Sequence, residues 1–279
     1  MTKRIGFVDY NLENFHANVY LSAIRNELRE RGYEVSGCTS LITDAGRIWA
    51  MKNNVPYYDN VQQLDQVVDF YVVLAPNNPE THYELCALVL PFGKTTYVDK
   101  TFAPDLATAR AIFALADRYG TATQTTSALR YTNVQAYVSE VGKATVQHMV
   151  AWGGGSTFGV YAIHPLELVV SCMGAQVERL MRRGTGDRSQ ILLDYAGGRT
   201  AVVNIYTNSE TPFSSAVTTN KGTRLITVDD STLFIDMAKA ILDLFDSGIP
   251  TIDRAESLVI RQIMDVATTE DSLRHFVTL

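Results

Sequence analysis

Cysteine is scarce in this chain of 279 residues: three in all, Cys38, Cys86 and Cys172, far apart and each set among apolar neighbours. An odd, scattered set excludes a disulfide framework, and no grouping of Cys, His and carboxylate residues has metal-ligand spacing. The three read as small buried hydrophobes, a usage that fits a reducing cytoplasm. Charge of one sign is lacking too. Lys and Arg total 24 against 30 Asp and Glu, a net charge of −6, with no basic block that would serve as a footprint for nucleic acid. No stretch of about 18 uninterrupted apolar residues occurs, so no membrane span is expected. The N-terminus also lacks the pattern of a cleavable signal. Repeats and low-complexity tracts are missing. Nothing matches Gly-x-Ser-x-Gly at a strand-to-helix turn, which excludes that form of serine nucleophile.

What is present is a chain with 46% hydrophobic and 19% charged residues, able to bury a sizeable core and long enough for two domains. Arg4 to Val8 reads as a strand, Asn14 to Arg31 as a helix closed by Gly32, and Tyr33 to Cys38 as a second strand. Helices follow at 44–52 and 61–66. Asp69 to Ala75 is a branched and aromatic run suited to a strand buried on both faces. A Pro-Asn-Asn-Pro turn stops it, and a helix through Leu85, Leu88 and Val89 ends at Pro91 and Gly93. Thr95 to Val98 is the next strand, a helix runs from Ala103-Pro104 to Tyr119, and Thr121 to Thr125 is a strand again. This alternation predicts a doubly wound, parallel sheet over residues 1–125. From 126 to 279 the pattern changes. A helix at 133–141, a strand at 143–152, a Gly153-Gly154-Gly155 loop and a helix at 161–173 precede four or five strand-like runs. Helices at 232–245 and 254–267 and a last strand at 274–277 close the chain. The second part is thus an α+β domain with an open, mostly antiparallel sheet, and the whole is an α/β protein.

Parallel sheets take ligands beyond the carboxyl ends of their strands, where Pro76-Asn77 and Asp99-Lys100 stand. Lys100 there can donate to a substrate hydroxyl and stabilise a developing oxyanion, unless it is merely a solvated lysine beside Asp99. His164, at the start of a helix, can exchange a proton with an alcohol, or be satisfied by backbone alone. Glu167 and Tyr161, each three residues from it, share its helical face and could orient the ring or answer a substrate hydroxyl. His16 and His148 lie in apolar-periodic segments and read as packed. Glu80 and Glu84 are adequately explained as acids in the first turn of a helix.

The first turn departs from what a dinucleotide asks of such a sheet. Gly-x-Gly-x-x-Gly lets bare backbone approach a diphosphate at a helix N-terminus. Here the strand runs Gly6-Phe-Val-Asp9-Tyr-Asn11-Leu-Glu13-Asn14, with two carboxylates in the turn. Asn tolerates left-handed backbone angles, so the turn can still form. The second strand ends in Cys38, Thr39 and Ser40 without an acid, and these hydroxyls suit a plain or a phosphorylated ribose alike.

Several segments, in order and spacing, resemble the glucose-fructose oxidoreductase and inositol dehydrogenase family (Gfo/Idh/MocA). Leu74-Ala-Pro-Asn77 through His82 and Glu84 is similar to its Pro-Asn-x-x-His-x-Glu segment, with one inserted residue. Val98-Asp99-Lys100-Thr101 resembles its Glu-Lys-Pro motif, and Gly153 through His164 to Gly174 its Gly-Gly-Gly-…-Asp-x-Gly-x-His helix. The resemblance implies a Rossmann-like N-terminal domain binding NAD or NADP, a C-terminal substrate and oligomerisation domain, and hydride transfer at a hydroxyl-bearing carbon of a sugar, inositol or related polyol. It also implies Lys100 and His164 as catalytic residues, with Tyr161 or Glu167 supplying what a missing aspartate would do. Gly6, Asp9, Asn11, Asn14, Thr39, Ser40, Pro76, Asn77 and His82 would meet the cofactor, and the open sheet would join copies of the chain into a homo-oligomer. Three departures stand out: Val160 where the family has aspartate, Thr101 for proline, and Asp9, Asn11 and Asn14 for the glycines. They leave two alternatives open: a lyase or epimerase on this scaffold, or a non-catalytic ligand- or partner-binding member without a dinucleotide.

Overall fold

The computed structural model describes residues 2–279, which pack into two compact units. One is the segment ending at Thr126 joined by Phe234–Asp253; the other is Ser127–Leu233 joined by Arg254–Leu279. The first unit is built on β1 (Lys3–Asp9), α1 (Phe15–Arg25), β2 (Tyr33–Ser40), α2 (Thr43–Asn53), α3 (Val61–Asp65), β3 (Phe70–Val73), α4 (His82–Val89), β4 (Thr96–Val98), α5 (Leu106–Tyr119) and β5 (Thr123–Thr125). The five strands form one all-parallel sheet in the order β2-β1-β3-β4-β5. Ile5, Phe7 and Val8 of β1 and Tyr71, Val72 and Val73 of β3 are buried, as strands covered on both faces must be. Fully burying one such side chain stabilises the fold by about 1.5–3 kcal/mol.

Helix α1 stops at Arg25, earlier than the apolar spacing predicts. Asn26 leaves helical angles while its N–H still donates to the Ser22 carbonyl and its side chain to the Ser22 hydroxyl. Such local side-chain competition is why Asn is a poor helix former. The chain then tightens through Arg29–Arg31 into Gly32 at φ +72°.

The second unit holds α6 (Asn133–Val141), β6 (Val146–Gly155), α7 (Phe158–Tyr161), α8 (Ile163–Met173), β7 (Val177–Arg183), β8 (Arg188–Tyr195), β9 (Thr200–Thr207), β10 (Ser214–Thr219) and β11 (Gly222–Thr227). After α9 (Leu233–Ser247) come α10 (Arg254–Val266), α11 (Glu270–Arg274) and β12 (Val277–Thr278). Its seven strands lie in the order β11-β10-β6-β9-β8-β7-β12, antiparallel except for β6 with β9. Helix α8, buried almost all round through Leu166, Leu168, Val169, Val170, Cys172 and Met173, packs on β6 and β9.

Two expectations are corrected here. The glycine run 153–155 is the end of β6, not a loop. A Cβ on Gly153 would stand 2.9 Å from both Phe213 and Pro165, and one on Gly155 would enter the Tyr161 ring at 2.0 Å. These glycines permit close approach to a strand, the other use of glycine in a sheet. The chain end at 270–274 is helical because Thr269 caps it and Glu270 and Asp271 occupy its first turn; the strand begins later, at Val277.

Helix α9 belongs with the first unit. Phe245 stacks on Phe70 with centroids 4.7 Å apart. Asp246 accepts hydrogen bonds from Tyr33 (2.7 Å), Arg31 (2.5 Å) and Lys3. Phe234, at the other end, meets the rings of Phe15, His16 and Tyr20. All three free cysteines are buried, and no helix among the described residues is long and apolar enough to cross a membrane.

Candidate active site

The carboxyl ends of β1, β3 and β4 bring Asp9, Ala75-Pro76 and Asp99-Lys100 together in the first unit. Asp9 has 0% of its surface exposed. Its Oδ1 accepts from the N–H of Asn11 (3.1 Å) and of Ala75 (2.9 Å), and its Oδ2 from the Asn14 side-chain amide (2.8 Å). Ala75 reaches Asp9 from φ +62°, a left-handed backbone that costs a residue with a Cβ roughly 1–2 kcal/mol. Asn14 also caps α1, its Oδ1 accepting from Ala17 N (3.0 Å), and its amide donates a second bond to Asn11 O (2.8 Å). Asn11 in turn accepts from Glu13 N. Side chains thus close the first turn upon itself. Burial pushes the Asp9 carboxyl up to about 7; its three donors oppose that rise and the nearby Asp99 charge adds to it.

Asp99 is also fully buried. Its Oδ2 lies 2.5 Å from His16 Nδ1, its Oδ1 accepts from Lys100 N (2.8 Å), and the Tyr20 and Tyr97 hydroxyls approach the same oxygen at 3.5 and 3.4 Å. Burial alone would raise this carboxyl, but His16 and then Lys100 outweigh it and hold it below the ordinary carboxylate range. Lys100 is 5% exposed, and its ammonium donates to the Pro76 carbonyl at 3.0 Å. Burial lowers its pKa against the opposing pull of Asp99. The solvated-lysine reading is therefore set aside by a physical fact, since this amine has left the water. The peptide joining it to Thr101 is cis.

Other expected cofactor residues occupy varied places. Thr39 and Ser40, at the end of β2, line a cavity of about 220 Å³ with Asp9, Asp59 and Asn60, against apolar walls from Val8, Val61, Leu85 and Leu88. Asn77 is exposed and Pro76 buried. Gly6 lies inside β1, where a Cβ would press on Val68, Leu64 and Tyr71 at 3.2–3.3 Å, so its role is packing. His82 is fully buried, with Nδ1 3.0 Å from the Phe102 carbonyl and Nε2 at the Leu74 carbonyl. It ties two strand-end loops together, and burial lowers its pKa against the pull of those carbonyls.

In the second unit, α7 and α8 are separated at Ala162, and Pro165 falls in the first turn of α8, where its missing N–H costs nothing. His164 Nδ1 lies 2.7 Å from Ser127 Oγ, with the Tyr161 and Phe213 rings edge-on at 5.5 and 5.7 Å. Glu167 is 2% exposed. Its Oε1 accepts from Arg130 Nε at 2.5 Å and its Oε2 from Ser127 N at 3.3 Å, so it reaches His164 through Ser127. Arg130 also bonds Glu256 at 2.6 Å, and Lys143 bonds Glu256 at 2.8 Å. Burial would lower the Arg130 pKa, but the two carboxylates raise it above its usual value.

In the first unit His16, read from the sequence as packed, pairs with Asp99; in the second unit Ser127, Arg130 and Phe213 are neighbours of His164 and Glu167 that sequence reasoning passes over. The one available signal for the first pair is Asp99 beside Lys100 at a strand end; nothing local marks Ser127 or Phe213. Among the described residues no group of three or more His, Cys, Asp or Glu could hold a metal ion.

Residues 5–127 match a family described as an oxidoreductase family with an NAD-binding Rossmann fold, Gfo/Idh/MocA. No curated protein sequence matches the chain. Among solved structures, the chain is similar to myo-inositol dehydrogenase from Lactobacillus casei in complex with NAD(H) and myo-inositol, with TM-score 0.85 and 12% identity over 100% of this chain and 97% of that one. Scyllo-inositol dehydrogenase from the same organism, with bound NAD(H) and scyllo-inositol, gives 0.82 and 11% over 100% and 99%. UDP-N-acetylglucosamine 3-dehydrogenase from Acidithiobacillus ferrooxidans gives 0.80 and 13% over 96% and 98%. At these identities the structures speak for the fold. Over residues 5–127 the chain matches the Gfo/Idh/MocA oxidoreductase family, and over its whole length it shares the fold of these dehydrogenases.

Proposed function

We propose that this protein is an NAD- or NADP-dependent oxidoreductase acting at a hydroxyl-bearing carbon of a sugar, inositol or related polyol. The observation that carries the reading is Lys100: a 95% buried amine (5% exposed) at a strand's carboxyl end with a lowered pKa, the environment in which active-site groups are tuned. The family's cofactor supplies a carrier for the hydride when bound. The residues fit such a dinucleotide in three parts. The hydroxyls of Thr39 and Ser40 and the apolar walls of their cavity suit a nucleoside, and Pro76 and Lys100 suit the far end. The first turn suits a diphosphate on the condition that Asp9 is neutral, because an ionised carboxylate there repels it.

The chain's own residues divide the remaining work. Lys100 donates to the substrate oxygen and stabilises the negative charge that develops on it, while Asp99 opposes the effect of burial on the Lys100 amine. His164 accepts the hydroxyl proton in oxidation and returns it in reduction. The Ser127 hydroxyl at Nδ1 sets its ring, with Glu167 and Arg130 as positioning residues behind Ser127. Tyr161, edge-on to the ring, is a further hydrogen-bond donor to the substrate. Self-association through the seven-stranded sheet belongs to the same reading, and light scattering measures it.

Adding NADH and NADPH to the pure protein while following cofactor fluorescence is expected to give saturable binding by at least one of them. A panel of inositols, aldoses and uronic acids with the oxidised cofactor is expected to contain a substrate that raises nicotinamide absorbance. No binding at millimolar cofactor would sink the reading. Binding without redox on any polyol would favour a lyase or epimerase instead. The closed first turn around Asp9 favours one other reading, a protein of this fold that binds polyols without a dinucleotide.

A further inference from the structure

The turn that follows β1 already contains a buried carboxyl group. Amides of a βα turn and the N-terminus of the next helix ordinarily offer their N–H groups to a diphosphate. Here those of Asn11, Glu13 and Ala17 are taken by the side chains of Asp9, Asn11 and Asn14. The Asn14 amide spends one N–H on Asp9 Oδ2 and the other on Asn11 O. A diphosphate brought to this turn would find no unused side-chain donor on Asn14 and would approach a carboxylate with no water around it.

We propose that a dinucleotide enters the first turn together with one proton, which Asp9 receives at Oδ2. The step balances simply. A proton leaves solvent, the carboxylate becomes a carboxylic acid, and no other bond is made or broken. Once Oδ2 carries a proton it is a much poorer acceptor for Asn14, whose N–H can then turn to a phosphate oxygen. The carboxyl remains hydrogen-bonded through Oδ1 to Asn11 N and Ala75 N, so the turn keeps its shape. The charged groups around Asp9 favour the neutral form. Asp99, across the sheet end, is ionised, with His16 and Lys100 directed at it instead of at Asp9. Asp59 lines the same cavity but is paired with Arg47 at 2.6 Å, and Glu13 is exposed to solvent, so Asp99 is the charge that acts on Asp9. With Asp9 already pushed up to about 7, the proton is available near neutral pH. The inference rests on the dinucleotide reading above and adds the linkage between cofactor and proton.

Calorimetric titration with NADH, in two buffers of different ionisation enthalpy, reads the proton directly, because the NADH diphosphate itself does not titrate in this range. Near pH 8 uptake is expected to approach one proton per cofactor; near pH 6 it is expected to be close to none, and affinity about tenfold higher. Asp9→Asn is expected to bind NADH with the same affinity at both pH values and without uptake. NADH binding equally at both pH values in the wild type, or a pH dependence that Asp9→Asn retains, would overturn this proposal alone. No binding near pH 6 by either NADH or NADPH would overturn it together with the cofactor reading.

Discussion

A carboxyl sealed from water is expensive to ionise, and Asp9 makes this cost visible in the stability of the protein. Its folded-state value of about 7 lies above the roughly 3.9 of an unfolded chain. Between those values the folded protein holds a proton that the unfolded chain has lost. The contribution of Asp9 to stability is therefore full below about pH 4, falls as pH rises to about 7, and is level beyond. The fall is on the order of 4 kcal/mol at most, at about 1.4 kcal/mol for each unit of difference. Urea unfolding of Asp9→Asn near pH 5 and near pH 8 is expected to show a much shallower decline than the wild type. An equal slope in the two proteins would remove Asp9 as its source. At the same scale, Lys100→Ala and His164→Ala are each expected to lower turnover about 100-fold or more, as removing a positioned proton-transfer or charge-stabilising group does. Unchanged melting temperatures would separate this effect from misfolding. The positions of Lys100 and His164, after β4 and at the start of α8, are legible in the sequence because strand ends and helix starts are. The Asp99 partner of His16 lies 83 residues away, and no local pattern announces so distant a contact.

At the scale of elements, the strand-helix alternation of the first unit is readable because buried parallel strands and amphipathic helices carry different periods. Glycine misleads where its purpose is contact instead of turning. Gly155, at φ +156° beneath the Tyr161 ring, is a case in point. Gly155→Ala is expected to cost about 1–3 kcal/mol, the range for forcing atoms into a packed site, and to move the ring that borders His164. Thermal unfolding measures the first effect and the KM for substrate the second. Ala75 predicts the opposite sign. Most Ala→Gly changes destabilise, but Ala75→Gly releases a left-handed alanine and is expected to be neutral or stabilising by up to about 1 kcal/mol. A loss of stability of that size or greater would mean that the strain attributed to this turn is absent.

For the whole molecule, the chain leaves the second unit and returns. Phe234–Asp253 joins the first unit, and Arg254 onward joins the second. Helical spacing announces α9 but not the sheet it covers, since the partners of Phe245 and Asp246 stand near the start of the chain. The second unit is likewise stitched from two segments by a buried ion network, Arg130 holding Glu167 and Glu256. Arg130→Met is expected to destabilise by about 3–5 kcal/mol, because it leaves the buried Glu167 carboxylate without its charge partner, while Glu256 keeps Lys143. A cost below about 1 kcal/mol, read by urea unfolding, would show the network to be dispensable.

Hydride transfer from a polyol carbon is the claim on which the functional account stands. The direct test supplies inositol carrying deuterium at its carbinol carbons, with NAD or NADP, and follows the cofactor by proton NMR. If inositols are substrates, deuterium appears at the nicotinamide ring, and the rate falls about 100-fold in Lys100→Ala. A folded protein with bound cofactor that moves no deuterium, from inositols or from correspondingly labelled sugars, would contradict the account.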